Sequence, residues 1–262
     1  VKIKDIMHTD YVCVNVYDDQ EEVSEEFKKY GFIAMPVVDK EHRLVGIITV
    51  DDILDVIELE ATEDIERMAG IDLEQSDEEY LDKSVLKHVR NRLPWLLIMM
   101  CSAMITGAII SKFEVLLSEV IVLVTYMPLL MGTGGNTGAQ ASTLIIRGLA
   151  LGEVDLEDVF KVLWKEFRIS LCVGCVLSTV NFLMATDYGG PINKAAYLTG
   201  TLALVSDQLD IMAAVMIGGM VPLLAKKIGA DPALMANPVI ASSTDMISVL
   251  VYFFMASCIL GI

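Results

Sequence analysis

Residues 127–140 are Met-Pro-Leu-Leu-Met-Gly-Thr-Gly-Gly-Asn-Thr-Gly-Ala-Gln, a run of small and polar residues inside an apolar segment. The 27 residues from 120 to 146 carry no charged side chain, which is enough to cross about 30 Å of hydrocarbon as a helix. Pro128 and the glycines weaken that helix, and Asn136 and Gln140 lie one turn apart on one face. Two interpretations are open: small residues allow tight helix packing in a membrane, or irregular backbone lines a water-filled cavity there.

Four further apolar segments surround this one. Residues 93–110 and 169–186 each contain 18 uncharged residues, and 195–225 and 233–262 are apolar but interrupted by aspartates. Each segment approaches or exceeds the length that a bilayer requires. The sequence therefore predicts an all-α membrane domain of five transmembrane helices over residues 93–262.

Charge divides the chain into two unlike parts. The 262 residues are 54% hydrophobic yet carry a net charge of −17, and residues 1–92 hold 24 of the 36 acids but only 11 of the 19 bases. A soluble acidic module therefore precedes the membrane module. The apolar content excludes a disordered chain, and only 5 Cys exclude a disulfide-rich scaffold. The surplus of carboxylates repels nucleic acid and favours divalent cations as partners.

Basic residues predict the orientation of the five segments. With the amino-terminal part inside, nine bases are cytoplasmic and two are outside, so the positive-inside rule predicts a cytoplasmic amino-terminal domain and an external carboxyl terminus. The nine are Lys87, Arg90, Arg92, Arg147, Lys161, Lys165, Arg168, Lys226 and Lys227; the two are Lys112 and Lys194. An odd number of spans disfavours a pore built from an internal repeat and favours a two-fold homodimer.

The amino-terminal part alternates short strands and helices, which predicts an α+β domain over residues 1–60. We predict strands at 11–16, 33–38 and 44–50, and helices at 19–30 and from Ile53 to about Glu60. Gly31 is expected to end the first of these helices.

Residues 51–82 contain 14 acids and one base, Arg67. One interpretation is a solvated acidic helix. The other is a cation sensor, because like charges three and four residues apart destabilise a helix until Mg²⁺ or Ca²⁺ binds between them. Gly70 is expected to interrupt this helix, and a connecting segment over 61–92 leads into the membrane.

Three aspartates interrupt the last two apolar segments. Asp245 lies near the middle of its segment, where a carboxylate is either functional or neutral and hydrogen-bonded to Ser or Thr. Asp207 and Asp210 lie nearer the outer boundary, which favours a solvated vestibule over a binding site. Cys172 and Cys175 lie in an apolar helix without His neighbours, which favours small packing residues over zinc or redox chemistry.

Two sets of motifs carry a family resemblance. The run MPVVDKEHRLVGIITVDDIL, residues 35–54, resembles a cystathionine-β-synthase (CBS) domain. Together with the acidic connecting segment, PLLMGTGGNTGAQ at 128–140 and DPALMANPVIASSTD at 231–245 resemble the MgtE family of magnesium channels/transporters. The resemblance covers essentially the whole chain. It implies a homodimer whose CBS pair and connecting "plug" helix lie in the cytoplasm, with the chain beginning at the second CBS domain and the first one upstream.

The resemblance also implies roles for individual residues. Asp245 corresponds to the pore acid, Asn237 to a pore-lining residue, and Asp231 to the acid at the cytoplasmic mouth. The remaining pore-lining positions are Pro128, Gly132, Gly134, Gly135, Asn136 and Gln140. The cytosolic Mg²⁺ ligands fall on Asp19, Glu21, Asp52, Asp55, Glu60, Glu63 and Asp64. Gly31 departs from the pattern, because relatives can carry an acidic ligand there.

The resulting prediction is a Mg²⁺-selective channel/transporter of the cell (inner) membrane, surrounded by lipid and gated by cytosolic Mg²⁺. Mg²⁺, or another divalent cation, is then both substrate and regulatory ligand. The alternative is a non-conducting, membrane-anchored sensor or scaffold, which has no need of Asp245. No Ser-His, Cys-His or metal-ligand spacing supports an enzyme, so no catalytic or cofactor-binding residue is predicted.

Overall fold

The computed structural model describes residues 6, 11–71, 80–188, 194–235 and 237–260. Side chains within those ranges are described except at 122, 185–188, 194–199, 235, 237 and 260. The chain divides into two compact units, Val1–Ile65 and Glu66–Ile262. Each unit is described separately below.

The first unit is a small α+β domain, as predicted. Its elements are β1 (Val14–Asn15), α1 (Gln20–Tyr30), β2 (Ala34–Val38), β3 (Leu44–Thr49) and most of α2 (Val50–Met68). The sheet order is β1-β2-β3, with β1 parallel to β2 and β2 antiparallel to β3. The strand predicted over 11–16 is only two residues long, because only Val14 and Asn15 pair with β2.

Local signals determine both ends of α1. The Asp19 side chain accepts a hydrogen bond from the Glu21 amide at 2.9 Å, which satisfies one of the free N–H groups of the first turn. Gly31 has φ of 65° and its N–H bonds to the Phe27 carbonyl, the left-handed C-terminal cap that favours glycine. Between these caps Val23 and Phe27 are buried against the sheet.

The acidic helix α2 is longer than the sequence suggests. It was expected to run from Ile53 to about Glu60, but it is continuous from Val50 to Met68, so residue 60 is not a break in the backbone. Gly70 has φ of 70° and follows the end of the helix, as predicted. The next helix among the described residues begins at Val85, and the Ser84 side chain caps it by accepting a hydrogen bond from the Lys87 amide.

The second unit is all-α. Its long helices are α3 (Val85–Ser111), α5 (Val122–Ala150), α6 (Val159–Tyr188), α7 (Lys194–Lys227) and α8 (Asn237–Leu260), and the short α4 (Glu114–Glu119) precedes α5. Short 3-10 turns occupy Leu156–Asp158 and Ala233–Met235. Helices α5 to α8 pack into a bundle, and one buried cluster includes Leu123, Leu130, Leu202, Tyr252 and Phe253.

Within the described residues, four helical segments are long and apolar enough to cross a membrane. They are Val85–Ser111, Leu156–Met184, Gly200–Lys227 and Pro238–Ile259. Helix α5 has 29 residues but is not among them, because its glycines, threonines, Asn136 and Gln140 lower its mean hydropathy. The predicted fifth span therefore depends on α5 and stays a prediction.

Candidate functional site

A groove of about 1260 Å³ runs along α5 and reaches α8. Asp245 and Ala241 line it from α8, and all the other lining residues lie on α5. Five of the residues that the sequence analysis assigned to a pore line the groove on α5: Pro128, Gly132, Gly135, Asn136 and Gln140. Asp245 thus meets residues that precede it by at least 105 positions, from Gln140 (245 − 140 = 105) back to Pro128.

The α5 wall of the groove is an exposed stripe with helical spacing. Pro128, Gly132, Asn136 and Gln140 follow one another at intervals of four residues and are all exposed, as expected of one face of a helix. The opposite face, with Leu130, Ala141 and Ile145 among its residues, is buried in the bundle. The most polar face of α5 therefore points away from the core.

Asp245 faces this stripe from α8. It is half-buried, and a Cβ added to Gly135 would lie 4.0 Å from its Oδ1 atom. Gly135 and Asp245 are therefore neighbours in the groove. Asn237, the other predicted pore residue of α8, has a side chain outside the described residues.

Gly134 is the exception among the predicted pore residues. A Cβ there would overlap the carboxylate of Asp210 and lie 2.9 Å from Oγ of Ser248, so Gly134 faces the bundle and not the groove. Gly138 likewise packs inward, against the Ala214 carbonyl at 3.0 Å from its hypothetical Cβ. The glycines of the run therefore have two different surroundings: Gly134 and Gly138 allow close helix packing, whereas Gly132 and Gly135 line the cavity. The irregular backbone of the second interpretation is not observed, because α5 is one continuous helix from Val122 to Ala150.

The vestibule predicted around Asp207 and Asp210 is wrong. The two side chains are 0% and 1% exposed, because they lie on the face of α7 that packs against α5, α6 and α8. Asn181 donates a hydrogen bond to Asp207 Oδ2 at 2.8 Å, and Ser248 Oγ lies 2.6 Å from Asp210 Oδ1. Their position along the sequence suggested a depth near the outer boundary of the membrane. Depth in a membrane does not determine whether a side chain is exposed to water, so the inference of a solvated vestibule failed.

Asp231 pairs with a basic side chain. Arg67 donates to Asp231 Oδ2 in an ion pair, and the other oxygen, Oδ1, accepts from the Ala233 amide at 2.8 Å. Both carboxylate oxygens thus have protein partners at the position where a metal ligand was predicted. The sequence analysis assigned no role to Arg67. It is, however, the single base among residues 51–82, and this feature could have identified it.

Four of the predicted cytosolic ligands lie near one another in the first unit. The environment of Glu21 shows this: desolvation raises its pKa, and the charges of Glu60, Asp64, Glu25 and Asp19 raise it further. Gln20 also donates to Glu60 at 2.8 Å. The structure thus gathers Asp19, Glu21, Glu60 and Asp64 into an acidic cluster, which we call the Glu21 cluster.

The remaining predicted ligands are placed differently. Asp52 is exposed and accepts a hydrogen bond from the Thr49 hydroxyl at 2.7 Å, at the start of α2. Asp55 is exposed and Glu63 is half-buried. In the part of the chain that the structure describes, no three His, Cys, Asp or Glu side chains are close enough together to hold one metal ion. The ligand assignments therefore stay predictions.

Two regions of the chain match known protein families. Residues 127–255 match the family model MgtE, described as "Divalent cation transporter", and residues 3–59 match the CBS domain. The chain belongs to the MgtE family. The matched MgtE region begins on the groove stripe of α5 and includes Asp245, and the family is described as one of transporters, not of enzymes. With several long apolar helices, the chain is a multi-pass membrane protein.

Three curated relatives carry the name "Magnesium transporter MgtE". The Thermus thermophilus protein is 40% identical over 99% of this chain and 56% of its own length. The Bacillus subtilis protein is 34% identical over 98% of this chain and 55% of its own length. The Enterococcus faecalis protein is 34% identical over 97% and 54%, respectively. The chain thus spans about half the length of the curated relatives it matches.

Proposed function

We propose that this chain forms the ion path of a Mg²⁺-selective channel/transporter in the cell (inner) membrane, with Mg²⁺ as both substrate and regulatory ligand. The observation that carries the proposal is the meeting of Asp245 with the exposed polar stripe of α5 in one groove. The names of the relatives in three bacteria support Mg²⁺ as the ion.

The chemistry of the groove suits a hydrated ion. Mg²⁺ holds its octahedral water shell tightly, with ligand distances of about 2.0–2.1 Å, and usually keeps several waters when it binds. The Asp245 carboxylate and the amide oxygens of Asn136 and Gln140 can accept hydrogen bonds from those waters. The absence of a Cβ at Gly132 and Gly135 leaves room for the shell, so selectivity follows from the width of the path.

A homodimer of five-span subunits completes the path. In one chain the stripe containing Asn136 and Gln140 is exposed, and polar side chains facing hydrocarbon are costly. A second copy related by a two-fold axis would cover the stripe and contribute its own Asp245. The amino-terminal domain would then be cytoplasmic and the carboxyl terminus external.

Regulation is proposed to reside in the Glu21 cluster, together with Asp52, Asp55 and Glu63. The carboxylates of the cluster repel one another, and Mg²⁺ binding would remove that repulsion. Bound Mg²⁺ stabilises whichever conformation holds it better, and here that is the closed one. In this scheme residues 1–60 form the second CBS domain of a pair, 61–92 the connecting plug segment with Asp231 at the cytoplasmic mouth, and 93–262 the pore domain.

The deciding experiment is Mg²⁺ uptake into liposomes by the Asp245→Asn variant. Uptake should fall about tenfold or more, since the loss of one ion-binding charge in a poorly solvated site costs upwards of about 1.4 kcal/mol. Glu114→Gln removes an exposed acid outside the groove and serves as the matched control, with wild-type uptake.

Wild-type uptake by a folded, dimeric Asp245→Asn protein would overturn the assignment of the ion path. A protein that conducts no ions in any form, yet binds Mg²⁺ through the Glu21 cluster, would instead be the sensor or scaffold. The acidic cluster is the observation that favours this second candidate.

A further inference from the structure

Asp207 and Asp210 form a buried polar cluster behind the wall of the groove. They lie three residues apart on α7 and are almost completely inaccessible. The donors that reach them in the described part of the chain are neutral: the amide of Asn181 on α6 and the hydroxyl of Ser248 on α8. Within the part of the chain that the structure describes, one oxygen of each carboxyl, Asp207 Oδ1 and Asp210 Oδ2, has no hydrogen-bond partner.

The bundle leaves a space for Asp210. Its Oδ2 atom lies over Gly134 of α5, where a Cβ would overlap the carboxyl group, and its Cγ is 3.0 Å from that hypothetical Cβ. An unpartnered, ionised carboxylate in such a site carries a large desolvation cost, and a group in this position binds a proton instead. For a neutral carboxyl group, one oxygen without a hydrogen-bond partner costs far less free energy than it does for an ionised one.

The two contacts of the Ser248 hydroxyl indicate which oxygen of Asp210 holds that proton. Its Oγ is 2.6 Å from Asp210 Oδ1 and 2.8 Å from the carbonyl oxygen of Thr244. A serine hydroxyl has one hydrogen, which an ionised Asp210 would have to share with the Thr244 carbonyl. A proton on Asp210 Oδ1 gives each contact a hydrogen of its own, because Asp210 then donates to Ser248 Oγ while Ser248 donates to Thr244.

We propose that Asp210 is a proton-binding site inside the helix bundle, and that its occupancy controls the position of α8 beside Asp245. When the Oδ1–H bond of Asp210 breaks, the electron pair stays on Oδ1 and the proton passes to water. Ser248 then has one hydrogen for two acceptors, so at least one of the two contacts is weakened. Ser248 and Thr244 lie within one turn of Asp245 on α8, so the change is transmitted to the groove.

The surroundings of Asp210 contain two further acids. Among the described residues, Asp207 on α7 and Asp245 on α8 are the titratable side chains near Asp210. Helix α6 contributes Asn181 and α5 contributes Gly134, neither of which titrates. A test of Asp210 therefore needs the matching change at Asp207 as its control.

Infrared difference spectroscopy of the full chain in lipid nanodiscs tests the proton site directly. At neutral pH the carbonyl-stretch band of a protonated carboxylic acid should lose intensity in Asp210→Asn, which keeps the shape of the side chain and an N–H donor for Ser248. Asp207→Asn serves as the matched control and should retain the Asp210 band. An unchanged band in folded Asp210→Asn would overturn the proposal, as would a band lost only in Asp207→Asn.

A second variant keeps the test decisive if Asp210→Asn does not fold. Ser248→Ala removes the acceptor of the Asp210 proton, so the same band should shift in frequency, and an unshifted band contradicts the proposal. The proton site does not depend on transport, whereas its effect on uptake rests on the proposed function. Mg²⁺ uptake should vary with pH in wild type and be flat in Asp210→Asn; equal pH profiles would refute the coupling. If the wild-type protein takes up no Mg²⁺ at any pH, the proposed function fails and the infrared result alone decides the proton site.

Discussion

Arg67 donates a hydrogen bond to the carboxylate of Asp231, 164 residues further along the chain. The ion pair ties the end of α2 to the segment that precedes α8, and α8 carries Asp245. Since Asp231 is also a proposed ligand at the cytoplasmic mouth, Mg²⁺ and the Arg67 guanidinium would compete for the same carboxylate. The contact is therefore a candidate latch between the acidic helix and the ion path.

A double-mutant cycle with Arg67→Gln and Asp231→Asn measures this latch. In Mg²⁺-free buffer the coupling in the free energy of unfolding should be about 0.5–1 kcal/mol, the usual size for a partly exposed pair. The side chains are 36% and 26% exposed, which limits the effect. Millimolar Mg²⁺ should reduce the coupling by occupying Asp231.

The ion pair of Lys161 with Asp158 provides the control for that cycle. Lys161 is 84% exposed and lies only three residues from its partner, so its cycle should show a smaller coupling that Mg²⁺ does not change. Thermal unfolding in detergent measures the coupling free energy in both cycles. If Mg²⁺ does not change the coupling free energy between Arg67 and Asp231, the ion pair does not compete with the metal for Asp231.

The polar stripe of α5 should matter for uptake more than for stability. Asn136→Leu removes an exposed amide from the groove, and Mg²⁺ uptake should fall roughly tenfold because the hydrated ion loses hydrogen-bond partners worth about 1–2 kcal/mol. Thr125→Leu makes a similar polar-to-apolar change at an exposed α5 position outside the groove lining. Equal uptake by the two variants would argue against the stripe as the path.

Two glycines of the bundle should respond in opposite ways to alanine. A Cβ on Gly218 of α7 would overlap the backbone of Gly138, so Gly218→Ala should separate α5 from α7 and lower stability by about 1–3 kcal/mol. A Cβ on Gly132 meets nothing within 4 Å, so Gly132→Ala should raise helix stability by up to about 1 kcal/mol. Melting temperatures in detergent measure both changes, and a destabilised Gly132→Ala would contradict this account of the groove.

The Glu21 cluster should make the CBS unit pH-dependent. Because the folded-state pKa of Glu21 is raised by desolvation and by nearby acids, the folded state holds its proton more tightly than the unfolded state. Stability is therefore greatest below the ordinary pKa of glutamate and falls as pH rises from there through the raised folded value. Hydrogen exchange of α1 amides in the full chain should show this loss of protection.

Substitution and Mg²⁺ should each abolish that pH dependence. Glu21→Gln removes the titrating group, so protection should stay high across the same pH range, and Glu41→Gln, an exposed acid away from the cluster, should behave like wild type. Mg²⁺ should restore protection in wild type at neutral pH by neutralising the cluster. If Mg²⁺ protects Glu21→Gln to the same extent as wild type, the regulatory ion binds elsewhere.

Local sequence determined the features that depend on neighbours along the chain. Asp19 and Gly31 bound α1 because capping hydrogen bonds involve residues within four positions. Part of the groove stripe was also predicted, since the interval of four residues places Asn136 and Gln140 on one helical face wherever the helix packs. The family motifs in residues 35–54 and 128–140 likewise pointed to a CBS domain and to MgtE.

Tertiary structure decided which face of each helix meets another helix. Periodicity gives the angle between two residues on a helix but not the direction of its neighbours, so it could not assign Gly134 to packing and Gly135 to the groove. The same limit hid the burial of Asp207 and Asp210, whose partners Asn181 and Ser248 lie 26 and 38 residues away on other helices. The side chains that other helices place beside a carboxyl group on an apolar helix decide its role. They determine whether it faces a water-filled vestibule, binds an ion or binds a proton.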